Sequence, residues 1–275
     1  MSQIEYTIFA YCLCDEVLKT LGHRDDPQAR MTTAEVMTVV LVAAAFYGGK
    51  WESARVYLKE HGFIPRMLSK SRLCRRIHAV PPDAWQVVAS ILAEVHRSAD
   101  ASGEFLVDSL PIPVCANIRI RRGRLSQGKA YHGYIASKQV YFYGLRIHLV
   151  CTASGRPVEI ALAPGGVADI VVFRTLVREL PAGSRLIGDK GYISADEEAV
   201  CQEAEPLIFS PLRRGNMKVP HPSWWAWYLG YRRRRIETGF SVLCQLLPRS
   251  IHAVTARGFE LKVYAFVLAY SIKCL

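Results

Sequence analysis

Hydrophobic positions recur at helical spacing through residues 3–97, and this periodicity predicts a run of helices. A capping-box pattern, TTAE, precedes a predicted apolar helix over 36–47, and two glycines follow that helix. A second helix is predicted over 51–60. The segment MLSKSRLCRRIHAVPP predicts a short basic helix that two prolines close. Residues 1–98 are therefore expected to form a small all-α domain, either a helix-turn-helix type of DNA-binding domain or an appendage with a solvated basic helix.

A small and polar stretch at 98–103 marks the expected domain boundary, and the pattern changes after it. Short apolar runs predict strands at 103–108, 140–152, 156–162, 184–189 and 206–210. Helical periodicity predicts helices at 169–180, 194–204, 233–247 and 259–273. Pro111 and Pro113 are expected to prevent the first strand from continuing. Three strands followed by alternating helices and strands predict a mixed α/β domain over 103–275, in which helices flank a mixed sheet.

Composition narrows the class of protein. The chain is 51% hydrophobic and 21% charged, which is typical of a globular protein and excludes a disordered one. Its eight cysteines form no CxxC pair, which favours buried thiols in a reducing cytoplasm. The apolar run over 36–46 is too short to span a bilayer, and the N-terminus lacks a secretory signal. We therefore expect a soluble intracellular protein without a membrane segment.

The charge indicates a polyanionic partner. The formal net charge is +11 and the isoelectric point is about 9.4. Residues 1–100 carry 12 basic and 11 acidic side chains, whereas the remaining 175 residues carry 23 basic and 13 acidic ones. Within the second part, residues 116–139 hold six cations and no acidic residue, which predicts a basic surface loop. Most of the positive charge therefore lies in the predicted α/β domain.

Three acidic residues occupy dissimilar local settings. Asp108 and Asp189 each end a predicted strand, and Glu237 opens a predicted helix directly after four arginines. Carboxylates at strand ends and on a facing helix offer hard oxygen ligands to Mg²⁺ or Mn²⁺. Two such ions about 3.5–4 Å apart support an in-line phosphoryl displacement without a side-chain nucleophile. The same residues also admit structural roles, namely a turn at Asp108, a strand-to-turn corner at Asp189 and an ion pair of Glu237 with a neighbouring arginine.

Other polar and aromatic residues leave two interpretations open. Asp169 is expected to cap a helix, with a role in the site as the alternative. Arg146 and His148 share one face of their predicted strand, where they can contact phosphate or a carboxylate or have a structural role only. The tryptophans of the segment SWWAW can pack in a core or against a partner, or stack on a nucleic-acid base.

Four motifs in a fixed order carry a family resemblance over residues 105–245. They are DSLPIPVC, SKQVYFYGLRIHL, GDKGY and IETGFS. The set resembles bacterial insertion-sequence transposases of the DDE type, whose catalytic domain has a ribonuclease-H-like fold. The resemblance implies metal-dependent cleavage at the ends of the element and transfer of the strands into target DNA. It also implies that Asp108, Asp189 and Glu237 form the catalytic, metal-binding triad with Mg²⁺ or Mn²⁺.

The surroundings of Glu237 match the family only in part. Related transposases place Tyr, Arg and Lys around the helical Glu at −7, −4 and +7, and here Arg233 stands at −4 whereas Gly230 and Cys244 stand at the other two positions. The predicted DNA contacts are Arg232, Arg233, Arg234 and Arg235 before Glu237, Lys190, Arg146 and His148 elsewhere in the α/β domain, Arg72, Arg75 and Arg76 of the basic helix, and Arg119, Arg121 and Arg122 of the basic loop.

The resemblance further implies double-stranded DNA partners, namely the terminal inverted repeats and the target, and an oligomer that acts on two ends in a bacterial, nucleoid-associated setting. Two other functions remain open on the sequence. One is a DNA-binding protein with an inactive nuclease fold, and the other is a nuclease that cuts without joining. All three carboxylates are present, which argues against the inactive protein.

Overall fold

The computed structural model describes residues 1–115, 120, 125, 128–176, 180–204, 207–213 and 220–275. In these residues the helices are α1 (Gln3–Thr20), α2 (Thr33–Phe46), α3 (Trp51–Glu60), α4 (Lys70–Ala79), α5 (Pro82–Ser98), α6 (Asp169–Leu176), α7 (Ala195–Ala204), α8 (Ser223–Leu246) and α9 (Ala256–Lys273). The strands are β1 (Glu104–Cys115), β2 (His132–Ile135), β3 (Val140–Thr152), β4 (Pro157–Pro164), β5 (Arg185–Gly188) and β6 (Ile208–Pro211). The predicted mixed α/β fold with a helical region before the sheet is confirmed.

The chain divides into two compact units. The first contains Met1–Leu92 together with Val242–Leu275, and the second contains Ala93–Ser241. The second unit thus begins close to the predicted boundary at 98–103, but the last helix belongs to the first unit. The division of function between 1–98 and 103–275 stays a prediction, because compactness alone does not assign a role to either part.

The first unit is built around α2. Thr32 accepts a hydrogen bond from the Glu35 amide while Glu35 accepts one from the Thr32 amide, so the predicted capping box is confirmed. All residues over 36–45 are buried, and α1, α3, α4 and α9 pack around this helix. Among the described residues no single helix is long and apolar enough to cross a membrane, and α2 with α3 meets that test only as a pair bent by 111°.

The second unit is a six-stranded mixed sheet. Its order is β2-β3-β1-β5-β6, and β4 pairs with β3. β3 pairs antiparallel with β1, β2 and β4, whereas β5 runs parallel to β1 and β6. Phe105 and Val107 of β1 face a hydrophobic cluster with Phe173 of α6 and Phe209 of β6, and these two phenylalanine rings stack at 4.5 Å. Burial of each such side chain contributes about 1.5–3 kcal/mol, which fixes α6 on this face of the sheet.

The expectation that Pro111 and Pro113 end the first strand is wrong. β1 continues to Cys115 and pairs with β3 through both prolines. Its pairing with β5 stops at Val107, so beyond that residue β1 is paired on one side only among the described strands. Proline is tolerated at such an edge because no neighbouring strand requires its missing N–H. The strand is therefore long enough to carry Asp108 in its middle rather than at its end.

Other element boundaries differ from the sequence prediction. α8 begins at residue 223, ten residues before the predicted start at 233, because its first turns are aromatic and do not show the aliphatic periodicity of an amphipathic helix. β2 lies within the segment 116–139 that was predicted as a loop. Asp169 is the first residue of α6 rather than its cap, and α6 is described to residue 176, with 177–179 outside the described residues.

Candidate active site

Asp108 and Asp189 lie side by side at one edge of the β1–β5 pair. The parallel register between these strands ends with Val107 opposite Gly188, and each aspartate is the next residue of its chain segment. Because the hydrogen-bonded register holds Val107 and Gly188 side by side, the residues that follow them are brought together. The predicted convergence of these two carboxylates is therefore present in the structure.

One guanidinium nitrogen contacts both carboxylates. Nη2 of Arg233, on α8, lies 3.0 Å from Oδ2 of Asp108 and 3.5 Å from Oδ2 of Asp189. The side chains of Asp108 and Arg233 are 17% and 15% exposed, and that of Asp189 is 40% exposed. Two negative charges thus share one positive charge at a partly desolvated position, so the site retains a preference for a further cation.

Backbone amides orient the other oxygen of each carboxylate. Oδ1 of Asp108 accepts a hydrogen bond from the Ser109 amide at 2.8 Å, and Oδ1 of Asp189 accepts one from the Gly191 amide at 2.7 Å. Burial raises the pKa of Asp108 above its usual range, although the Arg233 charge opposes that rise. The ionised form of Asp108 is therefore costly here, and a bound cation would stabilise it.

Glu237 is not placed with the two aspartates. It is exposed and follows Arg233 by four residues on α8, so it lies on the same side of the helix about 6 Å further along the axis. Among the described residues, no group of three or more His, Cys, Asp or Glu side chains is arranged to hold a metal ion. The structure thus brings together two of the three predicted ligands. These two fit a divalent cation, because their oxygens already converge on one positive group.

A second polar cluster, which we call the Asp169 cluster, lies on the α6 side of β1 and consists of Ser109, Arg146, His148, Asp169 and Tyr192. Asp169 Oδ1 accepts a hydrogen bond from the Ser109 hydroxyl at 3.2 Å, and Arg146 Nη1 lies 3.6 Å from the same oxygen. Arg146 also donates to Ser109 Oγ and to two carbonyl oxygens. The sequence signal for Asp169, an acid at a helix start, is the same as that of a cap, and this is why its place was not predicted.

His148 is fully buried in the Asp169 cluster. Its Nδ1 lies 3.2 Å from the Tyr192 hydroxyl, and its Nε2 has no hydrogen-bond partner among the described residues. Burial lowers the pKa of His148 to about 4, so the ring is neutral near pH 7. The predicted phosphate contact of His148 does not fit this burial. Arg146 likewise has each guanidinium nitrogen engaged within the protein.

Comparison with known proteins decides the family. The family model described as "Transposase DDE domain" matches residues 98–251, which is more than half of the chain. The chain belongs to the DDE transposases. A search of curated proteins finds no match. Membership places this transposase among nucleases and transferases that bind DNA, and such enzymes generally use divalent metal ions.

A third cluster, which we call the Glu104 cluster, fixes α8 of the transposase on the sheet. The Glu104 carboxylate accepts from the Tyr228 hydroxyl at 2.6 and 2.8 Å, lies 2.6 Å from Arg232 Nη2 and lies 3.3 Å from Arg185 Nη1. Arg185 also lies over the ring of Trp225, which stacks on Tyr228. Arg232 therefore has an internal partner, and the four consecutive arginines of the transposase have different environments.

The tryptophans of α8 also differ in environment. Trp225 packs in the Glu104 cluster, whereas Trp224 and Trp227 are 69% and 67% exposed. Trp227 stacks on Tyr231 with ring centroids 5.6 Å apart, and Arg234 lies over the Tyr231 ring. Of these three tryptophans, only Trp225 is packed within the protein, which is one of the two environments that the sequence allowed.

The remaining predicted DNA contacts of the transposase are distributed over both units. Lys190, Arg234 and Arg235 are exposed in the second unit, and Arg72 and Arg75 are exposed in the first. Arg76 pairs with Asp25 at 3.1 Å and is half-buried. Arg119, Arg121 and Arg122 lie outside the described residues.

Proposed function

We propose that this DDE transposase cleaves DNA at the ends of a bacterial insertion sequence and joins the cut strands to target DNA, with Asp108, Asp189 and Glu237 as its catalytic metal ligands. The observation that carries the proposal is the convergence of two carboxylate oxygens, from neighbouring strands, on one cationic nitrogen. Such a pair suits the binding of a divalent cation for phosphoryl transfer better than a structural ion pair, because one arginine leaves the two carboxylates with an excess of negative charge.

The proposed metal site uses residues from three elements. Asp108 of β1 and Asp189 after β5 supply the two converging oxygens. Glu237 of α8, one helical turn after Arg233 and not placed with the aspartates in this structure, is proposed to supply the third when metal and DNA are bound. Mg²⁺ or Mn²⁺ at this site, as two ions, would stabilise the attacking and the leaving oxygen of an in-line displacement. The backbone amides at Ser109 and Gly191 keep the aspartates oriented towards that position.

Arg233 is the best-supported contact to a DNA phosphate. Its described hydrogen bonds use Nη2 only. A phosphate placed near the aspartates would therefore find a donor that is already held at the site. Exposed Lys190, Arg234 and Arg235 are proposed to contact the DNA around that phosphate.

The helical N-terminal region is proposed to bind DNA through Arg72 and Arg75 of α4. Both side chains are exposed, whereas Arg76 on the same helix is engaged by Asp25. In this proposal residues 1–98 recognise double-stranded DNA and residues 103–275 carry the chemistry. Since the enzyme must act on two element ends, the working form is proposed to be a homo-oligomer on the DNA.

A DNA assay with the full chain distinguishes this function from the two alternatives, a nuclease that cuts without joining and an inactive DNA-binding protein. The substrate is labelled DNA that carries the inverted repeats flanking the gene, supplied with a target duplex and Mg²⁺ or Mn²⁺. Cleavage at the repeat ends followed by metal-dependent joining supports the proposal. Cleavage without joining identifies a nuclease, and binding without cleavage identifies an inactive DNA-binding protein. EDTA is the control, since it removes the ions and leaves the DNA intact.

A further inference from the structure

Asp169 contacts both chain segments that carry the proposed metal ligands. The Ser109 hydroxyl donates to its Oδ1 at 3.2 Å, and Ser109 directly follows Asp108. Its Oδ2 lies against Gly191, where an added Cβ would stand 2.9 Å from that oxygen. Gly191 in turn donates its amide to Asp189 at 2.7 Å. One partly buried carboxylate thus contacts the side chain of the residue after Asp108 and lies against the backbone two residues after Asp189.

The hydrogen-bond directions in the Asp169 cluster are set by Arg146. Nη1 of Arg146 donates to Ser109 Oγ at 3.1 Å and lies 3.6 Å from Asp169 Oδ1. A serine hydroxyl has one proton, so with its oxygen accepting from Arg146 it gives that proton to Asp169. The serine is therefore held from two sides, and its orientation depends on the negative charge of Asp169.

The other neighbours of Asp169 supply no second positive charge. His148 Nε2 lies 4.0 Å from Asp169 Oδ1, but this ring is neutral near pH 7 and its Nδ1 is at hydrogen-bond distance from Tyr192. Arg146 is therefore the only charged partner of Asp169 among the described residues. Because the side chain of Asp169 is only 22% exposed, loss of its charge would leave the Arg146 guanidinium without a counter-ion in a poorly solvated position.

The alternation of β1 separates this cluster from the metal-binding side. Val107 and Ser109 point towards α6, whereas Asp108 points towards α8 and meets Arg233. Asp169 thus lies behind the strand that carries Asp108 and beside the turn that carries Asp189. It can set the separation of those two residues without itself facing the position that their oxygens share.

We propose that Asp169 is a positioning residue of the metal site, which holds the Asp108 and Asp189 segments at the separation at which their oxygens share one divalent cation. The proposal rests on the proposed function insofar as that function assigns metal binding to these two aspartates. It assigns to Asp169 no contact with the ion or with DNA. Groups that orient metal ligands in this way typically change metal affinity by about 10–100-fold when they are removed.

The test measures binding of Mn²⁺ alone to the full chain, by electron paramagnetic resonance, and metal-dependent cleavage as a second readout. Asp169→Ala removes both contacts, and we expect it to weaken Mn²⁺ binding about tenfold. Ser109→Ala is expected to weaken it in the same direction, and the double variant is expected to be no weaker than Asp169→Ala, since both changes break one chain of contacts. Asp196→Asn is the matched control, because Asp196 is an exposed acid in the first turn of α7, and it should bind Mn²⁺ as the wild type does.

Excess Mn²⁺ distinguishes positioning from a structural or a chemical role. We expect cleavage by Asp169→Ala to return to near the wild-type rate when Mn²⁺ is raised about tenfold or more, because only the site's affinity has changed. If that variant does not fold, Asp169→Asn, which keeps the shape and removes the charge, is expected to show the same weakened binding and the same rescue. Activity that stays absent in Asp169→Asn at every Mn²⁺ concentration, with Mn²⁺ binding intact, would overturn the proposal in favour of a catalytic role.

The controls also separate this proposal from the proposed function. A folded Asp169→Ala or Asp169→Asn variant that binds Mn²⁺ as tightly as a competent wild type overturns the positioning role alone. A wild-type chain that binds no Mn²⁺ and cuts no DNA overturns both.

Discussion

Glu104 and Asp108 stand four residues apart on the same face of β1, and each is paired with an arginine of α8, yet their charge balance differs. One carboxylate at Glu104 meets Arg185, Arg232 and a tyrosine hydroxyl. At the other position Asp108 shares a single arginine nitrogen with a second carboxylate. Leu106, which is fully buried, lies between them on the strand. The first cluster is therefore saturated by the protein itself, whereas the second has spare negative charge.

This difference in charge balance indicates which acidic residues of the fold stabilise it and which are available to bind a ligand. A buried carboxylate that pairs with two arginines and a hydroxyl is already neutralised within the protein, so it does not need an external cation and it fixes α8 on the sheet. A pair of carboxylates with one arginine is incompletely neutralised, and Asp189 is also 40% exposed. Consecutive residues of α8 thus have different partners, since Arg232 pairs with Glu104 whereas Arg233 pairs with the two aspartates.

The largest expected effect comes from removing the charge of Asp108. We expect Asp108→Asn to slow DNA cleavage at least about a thousandfold. In the proposed function the metal site stabilises the transition state by several kcal/mol, and this variant removes one of its ligands. The free energy of unfolding should stay within about 0.5 kcal/mol of the wild type or rise, because the change relieves repulsion with Asp189. Single-turnover cleavage of labelled DNA and urea unfolding measure the two. Retained cleavage in this variant would remove Asp108 from the triad.

At Glu104 we expect the main effect of a substitution to be on stability and not on cleavage. Glu104→Gln leaves Arg185 and Arg232 without a counter-ion in a cluster where the Glu104 side chain is 11% exposed, and we expect it to lower the free energy of unfolding by about 3 kcal/mol. Urea unfolding of the purified full chain checks this. Glu203→Gln, a change at an exposed position of α7, is the control and should be neutral within about 0.5 kcal/mol. Equal stability of both variants would show that the Glu104 cluster does not anchor α8.

An effect of about the same size should appear as a dependence of stability on pH. The folded chain holds the pKa of His148 at about 4, below the usual value of about 6.5 that the unfolded chain retains. Between these two values the unfolded state takes up a proton that the folded state resists, so the His148 contribution is fully favourable above about pH 6.5 and is lost as the pH falls towards 4. The loss should be on the order of 3 kcal/mol. His148→Gln should flatten the curve of unfolding free energy between pH 7 and 4, and an unchanged slope would contradict this assignment.

Much of this site was predictable because it depends on strand order. Asp108 and Asp189 follow residues of neighbouring parallel strands, and the alternation of elements in the sequence already predicts such a pair. The capping box at Thr32 and the hairpin of β3 and β4 were also predictable, since both are local patterns. Features of this fold could be predicted from the sequence where they depend on residues close together in the chain or on the order of the helices and strands.

The parts that sequence did not predict depend on distant or ambiguous partners. Glu104 meets Tyr228 across 124 residues, and an acid at a strand start gives no local sign of that partner. Asp169 looks like a helix cap, and only the packing of α6 brings it against Ser109 and Gly191. Pro111 was misleading because its effect depends on the absence of a second neighbouring strand, which is a property of the sheet and not of the residue.

The smallest expected effect tests the two neighbouring arginines through salt. If Arg233 neutralises one phosphate, Arg233→Gln should weaken DNA binding and reduce the slope of log affinity against log salt by about 0.9, measured between about 50 and 200 mM salt. Arg232→Gln should leave that slope unchanged while it lowers the free energy of unfolding, because its partner is Glu104 and not DNA. Fluorescence anisotropy with labelled duplex DNA gives both slopes. A reduced slope in Arg232→Gln together with an unchanged slope in Arg233→Gln would reverse the roles assigned to these residues, and with them the distinction between the saturated and the unsaturated cluster.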